Sequence, residues 1–125
     1  MIRKYYCGDP NGEMSTDGLI DAVREWGINK GIDNPYRQLN KVTEELGEWA
    51  HEICRDNFTT PEVKDACGDV LVTIIILANI CGIDPIECLE GAYHEISGRK
   101  GHTSEGMFIK EKAKPQDERV NYQSY

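Results

Sequence analysis

Apolar positions recur at spacings of three and four in four separate stretches of the chain, and the segments between them carry residues that start and stop helices. The first stretch runs from Thr16 to Asn29. It opens with Ser15, Thr16 and Asp17 as cap candidates, places Leu19, Ile20, Val23 and Trp26 on one side, and stops near Asn29-Lys30-Gly31. The second begins at Pro35, a residue suited to a first helical turn, and continues to about Arg55. Its stripe of Leu39, Val42, Leu46, Trp49 and Ile53 is expected to turn inward. The third follows Thr59 and Thr60, starts at Pro61 with Glu62 in its first turn, and ends near Cys81-Gly82. It is apolar on nearly every side from Val70 to Ile80 and is expected to be the central, most buried helix. The fourth opens with Asp84 as cap, Pro85 at the first position and Glu87 completing a capping-box pattern, then fades at Ser97-Gly98-Arg99-Lys100. Short connections between four such helices predict an all-α fold, an antiparallel four-helix bundle.

The ends carry weaker patterns. Residues 1–15 read as an irregular N-terminal arm that could pack on a partner subunit, residues 16–100 as the helical domain, and residues 101–125 as a polar tail or short hairpin with one apolar patch from Met107 to Ile109. The length of 125 residues with 39% apolar content fits one domain. Val70 to Ile80 is shorter than the roughly 20 apolar residues a membrane span needs, and the first residues lack the apolar run of a signal peptide. A cytoplasmic protein with no membrane partner is expected. The net charge of −8 opposes general binding to nucleic acid, which needs excess Lys and Arg for its phosphates. The five cysteines form no CxxC pair, and their helical settings predict neither a disulfide nor a zinc site.

Charge changes the picture most within the second and third helices. Glu45 and Glu48 are three apart and share a helix side, Glu44 flanks them, and Glu45 falls at the edge of the apolar stripe next to Trp49. Asp65 and Asp69 are four apart on a face that continues through Val72 and Ile76, which another helix must cover. If the second helix covers that face, four or five carboxylates meet with only Lys41 and Lys64 nearby, and protons or cations must relieve the repulsion. Oxygen ligands from two rigid helices suit Mg²⁺ or Mn²⁺. Glu48 and His51 also form an ExxH pair, the spacing used in di-iron bundles, but His51 reads as a polar boundary residue.

The run Glu44-Glu45-Leu46-Gly47-Glu48, followed by "DACGDVLVTIIILA" and "GIDPIECLEGAYHEISGRKG", resembles the MazG-like all-α nucleoside triphosphate pyrophosphohydrolases, chiefly their small single-domain members. The likeness covers roughly Leu19 to Lys110. It implies a four-helix fold of that type, working as a homodimer or homotetramer, that hydrolyses a nucleoside or deoxynucleoside triphosphate to the monophosphate and pyrophosphate with Mg²⁺. By the same resemblance, Glu45 and Glu48 match the metal-binding ExxE, Glu44 the acid that often precedes it, and Asp69 the closing Asp of the second acidic motif. The usual Glu three residues before that Asp is Ala66 here, and Asp65, four before, reaches the same helical face.

The metal set expected is therefore Glu45, Glu48, Asp65 and Asp69. Glu44, with Glu45, forms the catalytic pair, Glu44 accepting a proton from the attacking water. Arg99 and Lys100 fit the basic residues that follow the family's fourth helix, with Lys110 as a later candidate for phosphate contact. Lys41 completes that substrate-binding set, and Gln38 is expected to help shape the base pocket. A competing reading, from a different class, is a non-catalytic helical interaction protein with a structural cation site.

Overall fold

The computed structural model describes residues 14–112. The expected arm up to residue 13 and the expected tail from residue 113 lie outside the described residues. The described chain is mostly helical: α1 (Thr16–Asn29), α2 (Pro35–Cys54), α3 (Pro61–Ile80) and α4 (Pro85–Ser97) precede a small sheet of β1 (Gly101–Ser104) and β2 (Met107–Lys110). It divides into two compact units, one through Ile86 and the other from Glu87 on. No single helix among the described residues is long and apolar enough to cross a membrane.

Local chemistry accounts for where the helices begin and end. Ser15 accepts from the Gly18 amide at 3.0 Å, Asn34 from the amides of Tyr36 and Arg37 at 3.0 and 3.1 Å, and Thr60 from that of Val63 at 3.3 Å. Prolines occupy the first position of α2 and α3, where the missing N–H costs nothing. All three helices of the first unit end in the same motif. Gly31, Asp56 and Gly82 adopt positive φ of 71°, 60° and 74°, and the next amide in each case returns to a carbonyl five residues back: Ile32 to Gly27, Asn57 to Glu52, Ile83 to Ala78. Asp56 holds a conformation that favours glycine.

α3 is the centre of the first unit. Val63, Ala66, Val70, Thr73 and Ile76 form its buried stripe, and the Thr73 hydroxyl is satisfied by the Val70 carbonyl at 2.8 Å. Burying each Val or Ile contributes about 1.5–3 kcal/mol. α2 runs antiparallel along this stripe, because Gln38 near its start meets Thr73 while Glu52 near its end shares a cleft with Glu62 at the start of α3. α1 packs on the far part of α3, where a β-carbon on Gly27 would sit 3.2 Å from Ile76 Cγ1. Arg24 then ties α1 to the turn after α3, donating to Asp84 at 3.1 Å and to Asp21 at 3.2 Å.

The inward stripe expected for α2 is corrected here. Leu39, Leu46 and Ile53 are exposed, and the buried residues of α2 are Gln38 and Glu45, with Val42 and Trp49 half-buried on the same side. The helix is rotated by roughly 60° from the orientation its apolar stripe suggests, so Val42 and Trp49 are shared by both sides. α3 presents one covered stripe to α2, and the Gln38 side chain finds its partner there, the Thr73 carbonyl. Leu71 and Ile74 on α3 are exposed as well.

In the second unit, β1 and β2 pair antiparallel with Gly101 opposite Lys110 and Ser104 opposite Met107. Glu105 and Gly106, at φ 50° and 73°, make the two-residue turn whose twist matches the strands. A β-carbon on Gly101 would overlap the Phe108 ring and the Ile109 carbonyl, so only glycine lets Phe108 lie there.

Candidate metal centre

Glu44, Glu45 and Glu48 occupy one side of α2 because their spacing of three and four residues is close to a helical turn. One oxygen from each lies within 4.8 Å of the others. Antiparallel packing then brings Asp65 and Asp69 of α3 to the same cleft, about 490 Å³ in volume, which Glu44 and Glu48 also line. The two helices thus converge four of the five expected carboxylates on one space, and Glu45 is clustered with two of them, Glu44 and Glu48.

The five are not equivalent. Asp65 and Asp69, expected on a face that another helix covers, are exposed, whereas Glu45 is 7% exposed. Glu45 Oε1 meets Lys41 Nζ at 3.1 Å, and Glu45 Oε2 is buried with no hydrogen-bond partner. A buried carboxylate oxygen left unsatisfied costs free energy, and a bound cation would satisfy it. An all-oxygen donor set of this kind fits Mg²⁺ or Mn²⁺.

The electrostatics agree with crowding. The Glu48 carboxyl is pushed above its ordinary value of 4.5, first by the charge of Glu45, then by the hydrogen bond a protonated Glu48 makes to Glu45, by partial burial and by Glu44, with Lys41 opposing. Asp69 is pushed above 3.8, first by desolvation and then by Asp65 and Glu45. Lys41 is pushed above 10.5 by its hydrogen bonds to Glu45 and Glu44.

The other expected residues lie in different settings. Gln38 is buried outside the cleft, where its amide nitrogen donates to the Thr73 carbonyl at 3.2 Å, a tie between helices rather than a surface offered to a ligand. Arg99 pairs with Glu95 at 3.2 Å. Lys100 and Lys110 border a second cleft on the hairpin together with His102 and Lys112. Those three basic residues belong to the second unit, and the carboxylates to the first.

The expected site set omits Glu62, Glu52 and His51, all of which line the carboxylate cleft. Glu62 stands three residues before Asp65 and seven before Asp69, so the helical face that selected the two aspartates also contains it. His51 lies 3.5 Å from Arg55 through Nε2. No protein-family model matches the chain, and no curated protein or solved structure matches it.

Proposed function

We propose that the protein is a Mg²⁺-dependent nucleotide pyrophosphohydrolase that converts a nucleoside or deoxynucleoside triphosphate to the monophosphate and pyrophosphate, with a helical bundle of the MazG-like type. The observation that carries the reading is the buried, unpartnered Oε2 of Glu45, clustered with Glu44 and Glu48, which line a cleft walled by carboxylates from two helices. Mutual repulsion in such a cleft is relieved by a divalent cation, and the chain places no second cation beside Lys41 at Glu44 and Glu45 among the described residues.

In this reading Glu45 and Glu48 on α2, with Asp65 and Asp69 on α3, hold the metal. When bound, Mg²⁺ supplies charge neutralisation on the phosphates and a water of lowered pKa. Glu44, exposed at the rim, accepts the proton of the attacking water at one of its carboxylate oxygens. Lys41 supplies positive charge that meets the phosphates. The active form is a homodimer or homotetramer, which covers the exposed Leu39, Leu46, Ile53, Leu71 and Ile74. Sedimentation at micromolar concentration tests that point, and a monomer refutes it.

The deciding experiment is pyrophosphate release from a panel of ribo- and deoxyribonucleoside triphosphates with Mg²⁺, against a chelator control and the Asp69→Asn variant. Mg²⁺-dependent release that Asp69→Asn lowers at least about a hundredfold supports the reading. Folded protein that binds Mg²⁺ and releases no pyrophosphate from any of them leaves the interaction protein with a structural cation as the better account.

A further inference from the structure

Lys41 stands one helical turn before Glu44 and Glu45 on the same side of α2, and its ammonium bridges them, 3.2 Å from Glu44 Oε1 and 3.1 Å from Glu45 Oε1. It is the one cation paired with this cluster among the described residues. It reaches only one oxygen of Glu45 and leaves Oε2 unsatisfied. Its own side chain is 49% exposed, so it can leave the carboxylates for water at small cost.

Simple charge counting follows. With all groups ionised, three glutamates and one lysine carry a net charge of −2, as −3 and +1 sum to that value. A divalent ion entering with Lys41 in place brings these four groups to neutrality, with the charges of Asp65 and Asp69 still facing it. Without Lys41 the same ion meets −3, and the attraction is larger.

We infer that Lys41 is a tethered counter-cation: it holds Glu44 and Glu45 together in the metal-free protein, yields Glu45 to an entering divalent ion, and thereby sets the metal affinity of the site. This rests on the metal-centre reading above. Lys41 is a positioning residue in this role, acting through Glu45. The device keeps the buried carboxylate oriented and partly neutralised, at the expense of tighter metal binding.

The test is titration of the full chain with MgCl₂ alone by calorimetry, and with MnCl₂ alone by electron paramagnetic resonance, for the wild type, Lys41→Met and Lys41→Arg. Lys41→Met should bind either ion about five- to tenfold more tightly, the effect of removing one charge a few ångströms away at a partly exposed site. Its metal-free melting temperature should fall, and Lys41→Arg should restore wild-type affinity. If the wild type binds metal and Lys41→Met binds it equally or more weakly, the inference is overturned while the metal centre stands. A raised KM for nucleotide with unchanged metal affinity would also overturn it, making Lys41 a substrate contact only. Absence of metal binding in all three proteins overturns both.

Discussion

Replacing Glu45 by Gln separates the two states of the carboxylate cleft, because it should help one and harm the other. In the metal-free protein Glu45 Oε2 is buried without a partner, at a cost on the order of 1–3 kcal/mol. The glutamine amide is nearly isosteric, removes one negative charge from beside Glu48 and Asp69, and can donate a hydrogen bond to a neighbouring carboxylate. What is lost is the pairing with a half-exposed Lys41, which keeps Glu44 as a partner. The balance favours the variant by about 1 kcal/mol, or a melting temperature higher by roughly 3–6 °C. Mg²⁺ reverses the order. At a hundredfold excess over its dissociation constant, a ligand stabilises the folded wild type by about 2.7 kcal/mol. The variant lacks a charged ligand and should gain less than about a third of that. Thermal denaturation in chelator and in Mg²⁺ reads both effects, and the expected result is a crossing: the variant melts higher without metal and lower with it. A variant that melts several degrees lower in chelator, or that gains as much from Mg²⁺ as the wild type, refutes the reasoning.

Two further outcomes follow from the same geometry. Glu48 and Asp69 are faced by Glu44, Glu45 and Lys41 from α2 and by Asp65 from α3, and both carboxyls are raised in the folded state. The folded protein therefore binds more protons than the unfolded chain between the ordinary values of 4.5 and 3.8 and the raised ones, so these groups lose stability as pH rises through that window. In chelator the melting temperature should rise as the pH is lowered into the range just above ordinary carboxylate values, with a flatter slope in Glu48→Gln. A slope unaffected by that substitution contradicts the assignment. Gln38→Ala should cost about 1–2 kcal/mol by urea denaturation, through the lost tie to Thr73, and leave the KM for nucleotide unchanged. Unchanged stability with a raised KM would restore Gln38 as a substrate contact.

Helix ends were legible in the sequence because they depend on residues a few positions apart. Ser15, Asn34 and Thr60 cap through their own side chains, Pro35 and Pro61 fit only the first turn, and Gly31 and Gly82 supply the positive φ that closes a helix. The gathering of Glu44, Glu45 and Glu48 is equally local, since helical pitch alone places them together. That Asp65 and Asp69 join their cleft was readable only conditionally, on the assumption that α2 covers α3.

Which side of α2 does the covering was decided by tertiary structure. Periodicity offers two neighbouring faces, one through Leu39, Leu46 and Ile53 and one through Gln38, Val42, Glu45 and Trp49, and area burial alone favours the first. A partner helix that is apolar all round does not discriminate between them by hydrophobicity. The choice fell to a specific interaction over a sequence distance of more than twenty residues, the Gln38 amide on the Thr73 carbonyl. Pattern therefore determined that an acidic cluster exists, and packing determined that its buried member is Glu45, because burial is a property of the face a helix turns to its neighbour and not of the residue that carries it.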